Sequence, residues 1–168
     1  MKKIAKFEKV SLEQYIKDMT KNFDFSELEI QNFYNNIELP KRATIGSAGY
    51  DFKIPFEIKL NKGETLKIPT GIRVKIDSSW ALLLFPRSSL GFKYRMQLDN
   101  TVGIIDSDYY NSDNEGHIIL KITNDSKTEK QMIVEQNKGI CQGIFFEFGI
   151  TEDDDVNEIR NGGFGSTN

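Results

Sequence analysis

The chain has 168 residues, 38% of them hydrophobic and 28% charged, with a formal net charge of −3. That length fits one soluble domain with one sizeable core. The charge balance argues against a broad nucleic-acid-binding surface, so an anionic ligand must be met by a few local cations, backbone amides or a bound metal. No run approaches the length of a membrane span, and the start, MKKIAKFEKV, carries charges where a signal peptide needs its apolar region. Cys141 is the only cysteine and sits in the apolar setting ICQGIF, which fits a reduced thiol in a cytoplasmic protein. His117 is the only histidine. A histidine-rich metal site and a two-histidine mechanism are therefore excluded, and a serine triad through His117 lacks a GxSxG elbow.

In chain order, the first elements are helical. Ser11-Leu12-Glu13-Gln14 has the form of a capping box, and Leu12, Tyr15, Ile16 and Met19 then recur at helical spacing. A second start is Ser26 with Glu29, followed by Ile30, Phe33, Tyr34 and Ile37. Residues 11–37 thus read as two short amphipathic helices that pack on the main domain or on a neighbouring subunit, with no chemistry of their own. From Ile37 the texture changes to short strand-like runs separated by Gly, Pro, Asn and Asp. The candidates are Phe56 to Leu60, Leu66 to Ile68, Ile72 to Ile76, Ala81 to Phe85, Ile118 to Thr123, Met132 to Val134 and Ile144 to Phe148. Many short strands without alternating helices predict an all-β sandwich, jelly roll or related barrel.

Five stretches carry candidate chemistry. In Gly46-Ser47-Ala48-Gly49-Tyr50-Asp51, small residues bring the backbone close to something and present Asp51, either to a metal-bound water or simply in a closed turn. Pro86-Arg87-Ser88-Ser89-Leu90-Gly91 follows an apolar run. Its arginine fork and hydroxyls suit phosphate oxygens, and equally suit a basic surface turn. Asn100 to Tyr110, NTVGIIDSDYY, predicts a β-hairpin around Gly103 whose far end carries Asp106, Asp108 and two tyrosines. Such a hairpin can read the edge of a flat polar ligand while an aspartate at its base activates water, or it can be an ordinary surface hairpin. Gln142, amid apolar neighbours in Gly139 to Phe145, needs a partner for its amide, from ligand or backbone. The tail from Arg160 to Asn168 is glycine-rich yet holds an arginine, an aromatic ring and two hydroxyls, a set able to fold over a nucleotide.

Taken together and in order, GSAGYD, PRSSLG, NTVGIIDSDY, GICQGIF and RNGGFGST resemble the five motifs of the trimeric dUTPase family. The resemblance runs from Gly46 to Thr167 and leaves only the helical start outside. It implies a distorted jelly-roll (β-clip) subunit, all-β apart from a short helical N-terminal extension over residues 1–38. A β domain would follow over residues 39–156, and a C-terminal arm over residues 157–168 would close the active site. It further implies a cytoplasmic homotrimer with shared active sites that hydrolyses dUTP to dUMP and pyrophosphate, removing dUTP and supplying dUMP for thymidylate synthesis. Neither nucleic acid nor membrane is an expected partner.

The resemblance also implies roles. Asp106 matches the aspartate that positions the attacking water, and Tyr109 the tyrosine under deoxyribose that leaves no space for a ribose 2′-hydroxyl. Asn100, Gly103, Ile104 and Ile105 match the segment that reads uracil. Arg87, Ser88, Ser89 and Gln142 match phosphate-contacting positions. Asp51 matches the aspartate reaching Mg2+ through water, the ion itself being held mainly by substrate phosphates. Phe164 matches the ring over uracil, and Arg160, Gly165, Ser166 and Thr167 the arm around the γ-phosphate.

The chain departs from the family pattern in three places. Gly116 follows Tyr109 by 116 − 109 = 7 positions, so Asn111 to Glu115 (NSDNE) reads as an insertion forming a polar loop. Gly139 stands on the approach to ICQ where the family usually has a basic residue. Arg160 sits one residue nearer to Gly162-Gly163 than in the commonest form. A dCTP deaminase shares the fold, but it requires a glutamate three positions before Asn124, where this chain has Lys121. A regulatory binding module on the same fold is the reading from a different class.

Overall fold

The chain enters the fold as a strand that the sequence reading left out. In the computed structural model, which describes residues 2–158, β1 (Ala5–Lys9) pairs antiparallel with β6 (Ile72–Ile76). Helices α1 (Leu12–Met19) and α2 (Glu27–Asn35) follow, with Ser11 and Ser26 as their N-caps. The box at Ser26 is complete: the Glu29 amide donates to the Ser26 hydroxyl, and the Ser26 amide donates to the Glu29 carboxylate. At Ser11 only half of the expected box forms. The Gln14 amide donates to Ser11 Oγ, but the Gln14 side chain turns to Asp18, and the Ser11 amide donates instead to Glu115 from far along the chain.

Seven of the remaining elements lie close to their sequence-based positions. β4 (Ile58–Leu60), β5 (Thr65–Pro69), β6, β7 (Trp80–Pro86), β10 (Ile119–Asn124), β11 (Met132–Val134) and β12 (Gly139–Glu147) all come from runs rich in Ile, Leu and Phe. β2 (Lys41–Arg42), β3 (Tyr50–Lys53), the short helix α3 (Ser88–Tyr94), β8 (Met96–Leu98), β9 (Gly103–Ile105) and a 3-10 turn over Ser107–Asn111 are additional. Four small sheets result, with strand orders β1-β6, β5-β10-β8, β11-β4 and β2-β3-β12-β7-β9. This is the all-β jelly-roll architecture expected, carried by antiparallel ladders with alternating faces.

The helices pack on the main domain, the first of the two placements expected. Tyr15, Met19 and Ile30 have no exposed surface and belong to the same core cluster as Phe52, Ile68, Ile122 and Ile140. Phe23, Phe25 and Phe33 pack around Phe56 at ring-centroid distances of 5.1 to 5.7 Å. Gly71 has φ of +73° and lies so close to Ile37 and Tyr15 that a Cβ there would overlap Ile37. Burying an aromatic or aliphatic side chain contributes about 1.5–3 kcal/mol, so this segment stabilises the β domain and is anchored by it.

A candidate active site in two halves

Three side chains converge at one end of the five-stranded sheet. β12 lies between β3 and β7, and its register sets Gln142 opposite both Asp51 and Phe85. Arg87 leaves the end of β7 as N-cap of α3, and its Nε lies 3.3 Å from Asp51 Oδ1. Both members of this pair are partly exposed, so they are accessible to a charged ligand. Two glycines make the approach possible. A Cβ at Gly49 would lie 2.6 Å from Gln142 Oε1, and one at Gly139 would overlap the Arg87 guanidinium. Gly139, the departure from the family pattern, is thus the surface against which Arg87 lies. An open cleft of about 420 Å³ adjoins this end, lined by Arg87, Ser89, Lys93, Lys138 and Gly139 among others. The hydroxyls of Ser88 and Ser89 belong to exposed residues in the first turn of α3.

Asp106 and Tyr109 lie elsewhere. β9 pairs with β7, with Gly103 opposite Leu84 and Ile105 opposite Leu82. Continuing that register places Asp106 level with Ala81, which is 87 − 81 = 6 positions from Arg87, or roughly 20 Å along the strand at about 3.3 Å per residue. Asp106 occupies the N-cap of the 3-10 turn in extended backbone, and Tyr109 within that turn is buried. The Tyr109 hydroxyl donates to the His117 carbonyl at 2.8 Å and accepts from Asn114 Nδ2 at 2.8 Å. On β9, Ile104 is 62% exposed, while Gly103 is buried where a Cβ would press on Leu84 at 3.1 Å. One chain therefore presents two separated clusters, one cationic and amide-bearing, the other carrying Asp106 and Tyr109.

Several expectations need correction. The stretch from Asn100 is not a two-stranded hairpin: β8 before it pairs with β10, and β9 after it pairs with β7 in another sheet. The bend sits at Thr101, whose φ of +66° is unusual for a β-branched residue, and Gly103 serves close packing and not the turn. The NSDNE insertion is polar as expected and also tied to the fold: Asn111 and Asp113 are exposed, Ser112 is buried, and Asn114 and Glu115 are engaged in hydrogen bonds. His117 takes no part in a serine triad. Its Nε2 accepts from the Gly71 amide, so Nδ1 carries the proton given to Asp18 at 2.7 Å. Cys141 is fully buried, and burial, then the Asp51 charge, push its thiol above the ordinary range, which leaves it inert as a nucleophile. Arg160, Phe164, Gly165, Ser166 and Thr167 lie outside the described residues.

Among the described residues, no cluster of three or more His, Cys, Asp or Glu side chains is arranged to hold a metal ion. The partly exposed Asp51 carboxylate still fits Mg2+, which commonly binds through one or two carboxylates, retained waters and substrate phosphates.

The jelly-roll fold thus carries an Asp-Arg-Gln cluster and a separate Asp-Tyr cluster, and comparison with known proteins identifies its family. The dUTPase family model matches residues 35–168, and the chain belongs to that family. The deoxyuridine 5′-triphosphate nucleotidohydrolase of Lactococcus lactis subsp. lactis (strain IL1403) is 38% identical over 144 residues, covering 83% of this chain and 95% of that protein. The crystal structure of dUTPase from Streptococcus mutans is 32% identical, covers 87% of this chain and 98% of its own, and superposes with a TM-score of 0.63. A mutant dUTPase from phage phi11 of S. aureus, described with a structural Mg(II) ion, is 19% identical with a TM-score of 0.60 over 76% of this chain and 94% of its own, a likeness of fold alone.

Proposed function

We propose that the chain hydrolyses dUTP to dUMP and pyrophosphate by in-line attack of water on the α-phosphorus. The observation that carries this reading is the convergence of Asp51, Arg87 and Gln142, held by β-sheet register and cleared by Gly49 and Gly139, in a chain of the dUTPase family. Asp106 orients the water and takes up its proton. Arg87 and Gln142, with Ser88 and Ser89, bind the phosphates and stabilise the charge that grows on the leaving pyrophosphate. Asp51 would hold Mg2+ through water, and the ion, when bound with the nucleotide, would neutralise phosphate charge. Asn100, Gly103, Ile104 and Ile105 read uracil. Tyr109 supports deoxyribose and excludes a 2′-hydroxyl by shape, since steric rejection can outweigh a missing contact. Arg160, Phe164, Gly165, Ser166 and Thr167 complete the site as a closing arm.

The separation of the two clusters, roughly 20 Å along β7, favours a site assembled from different copies. We accordingly read the active unit as a homotrimer in which one subunit's Arg87 cluster faces another's Asp106 and Tyr109. No helix among the described residues is long and apolar enough to cross a membrane, and a cytoplasmic location suits a chain whose only cysteine is a buried free thiol. The deaminase alternative stays disfavoured because Lys121, at the position that would need a carboxylate, pairs with Asp99 at 2.9 Å.

Product analysis with Mg2+ and each of dUTP, dCTP, dTTP and UTP tests this reading. Release of dUMP and pyrophosphate from dUTP alone is the expected result. Deamination of dCTP, or equal turnover of all four nucleotides, would overturn it.

A further inference from the structure

Segment 109–117 is tied to the N-terminal extension by an unusual density of polar contacts. Glu115 accepts from both the amide and the hydroxyl of Ser11, at 2.8 and 2.6 Å, and so completes the cap of α1. Tyr110 donates to Glu8 on β1 at 2.6 Å, and Arg73 of β6 lies 3.6 Å from the centroid of the Tyr110 ring while donating to the Tyr110 carbonyl. His117, fully buried, donates from Nδ1 to Asp18 of α1, and Asp18 also accepts from Gln14. The same His117 supplies the carbonyl that receives the Tyr109 hydroxyl, and Asn114 of the insertion donates to that hydroxyl. Both hydrogen-bonding roles of the Tyr109 hydroxyl are thereby used, one by a residue locked to α1 and one by the insertion. Gly116 allows the tight return, with φ of +70° and space for no Cβ beside the Tyr109 carbonyl.

We propose that the N-terminal extension and the Asn111 to Glu115 insertion form one buttress that positions Tyr109, with Asn114 and Asp18 as positioning residues for sugar selection. The inference rests on the reading of Tyr109 as the sugar-supporting residue. A wall that rejects a 2′-hydroxyl by shape works only if it cannot yield, and a ring pinned at its hydroxyl end cannot slide away from the intruding oxygen. This gives the helices and the insertion, both outside the family's shared motifs, a part in specificity without contact with the nucleotide.

The test compares kcat/KM for dUTP and for UTP in the full-length wild type, Asn114→Ala, Asp18→Ala, Tyr109→Phe and Tyr109→Leu. Losing one tether at Asn114 is expected to lower the dUTP-over-UTP ratio about five-fold, as for a single neutral hydrogen bond. Losing the hydroxyl in Tyr109→Phe is expected to lower it more. A purely structural defect reduces both substrates alike, so an unchanged ratio in Asn114→Ala and Tyr109→Phe overturns the buttress, provided Tyr109→Leu loses discrimination. If Tyr109→Leu discriminates like the wild type, the underlying sugar reading falls, and the buttress with it. Asp18 is buried, and should Asp18→Ala fail to fold, Asn114→Ala in the partly exposed insertion decides the question.

Discussion

The two clusters are built on opposite principles. Around Arg87 the polar groups are few and partly exposed, and they are matched mainly to one another: a single ion pair at 3.3 Å, glycines in place of side chains, and an open cleft beside them. Around Tyr109 the ring itself and His117 are buried, and the tyrosine hydroxyl and both His117 ring nitrogens are matched to named partners. On the function proposed above, the difference follows from what each must do. A phosphate-binding end attracts a polyanion through charge and can tolerate adjustment, since guanidinium and amide groups reach out to oxygen atoms. A sugar-selecting end discriminates by what does not fit, and that demands rigidity.

The contrast sharpens at Asp106, to which the proposed reading gives the general-base role beside Tyr109. Asp106→Asn is expected to retain nucleotide binding and lose about 10²–10⁴-fold in kcat, the range for a general base. Single-turnover kinetics with a separate binding titration checks it, and wild-type-like turnover would remove Asp106 from the mechanism. The open half can be broken more gently. Gly139→Ala places a methyl group where Arg87 lies and is expected to lower kcat/KM for dUTP about ten- to hundred-fold through misplacement of the guanidinium. The thermal midpoint should stay near that of the wild type, because the exposed Arg87 side chain can move into solvent. A large fall in stability with unchanged kinetics would show that Gly139 serves packing alone.

Much of this was legible in the sequence, for physical reasons. Ile72 to Ile76 and Met132 to Val134 have alternating burial, and both appear as strands with those bounds. Ser26 and Glu29 announce a cap made entirely of local contacts. Ser11 could not be read in the same way, because its second partner is Glu115, 104 positions away. The strand Ala5–Lys9 was hidden because charges stand on both of its faces, Lys6 and Glu8 on one and Lys9 on the other, and its pairing with β6 is a tertiary fact. Candidate site residues could be named from the motifs, but their division into two clusters could not. It depends on Asp51, Gln142 and Phe85 sharing one register while Ile105 pairs three positions further back on β7, opposite Leu82.

The smallest expected effect concerns acid. Burial pushes the Asp18 carboxyl up, but hydrogen bonds from His117 and Gln14, with Lys21, more than offset it, and its pKa lies below the ordinary value. Burial likewise pushes Glu115 up and is outweighed by the Ser11 hydrogen bonds and Arg73. Depressed folded-state values mean that these carboxylates contribute stability above the unfolded pKa, near 4, and lose it as pH falls through the folded values. Thermal midpoints from about pH 6 to 3 should therefore fall less steeply in Glu115→Gln than in the wild type. Parallel curves would indicate that the Glu115 to Ser11 contact adds no pH-dependent stability.

In the homotrimer proposed above, neither cluster is complete without a second copy of the chain. Co-refolding Arg87→Ala and Asp106→Asn subunits in equal amounts, each nearly inactive alone, tests it most directly. If the halves come from different subunits, random mixing regenerates intact sites at about one in four, and dUTP hydrolysis should return to roughly that fraction of wild type. If both halves of a site come from one chain, the mixture will stay as inactive as its parents.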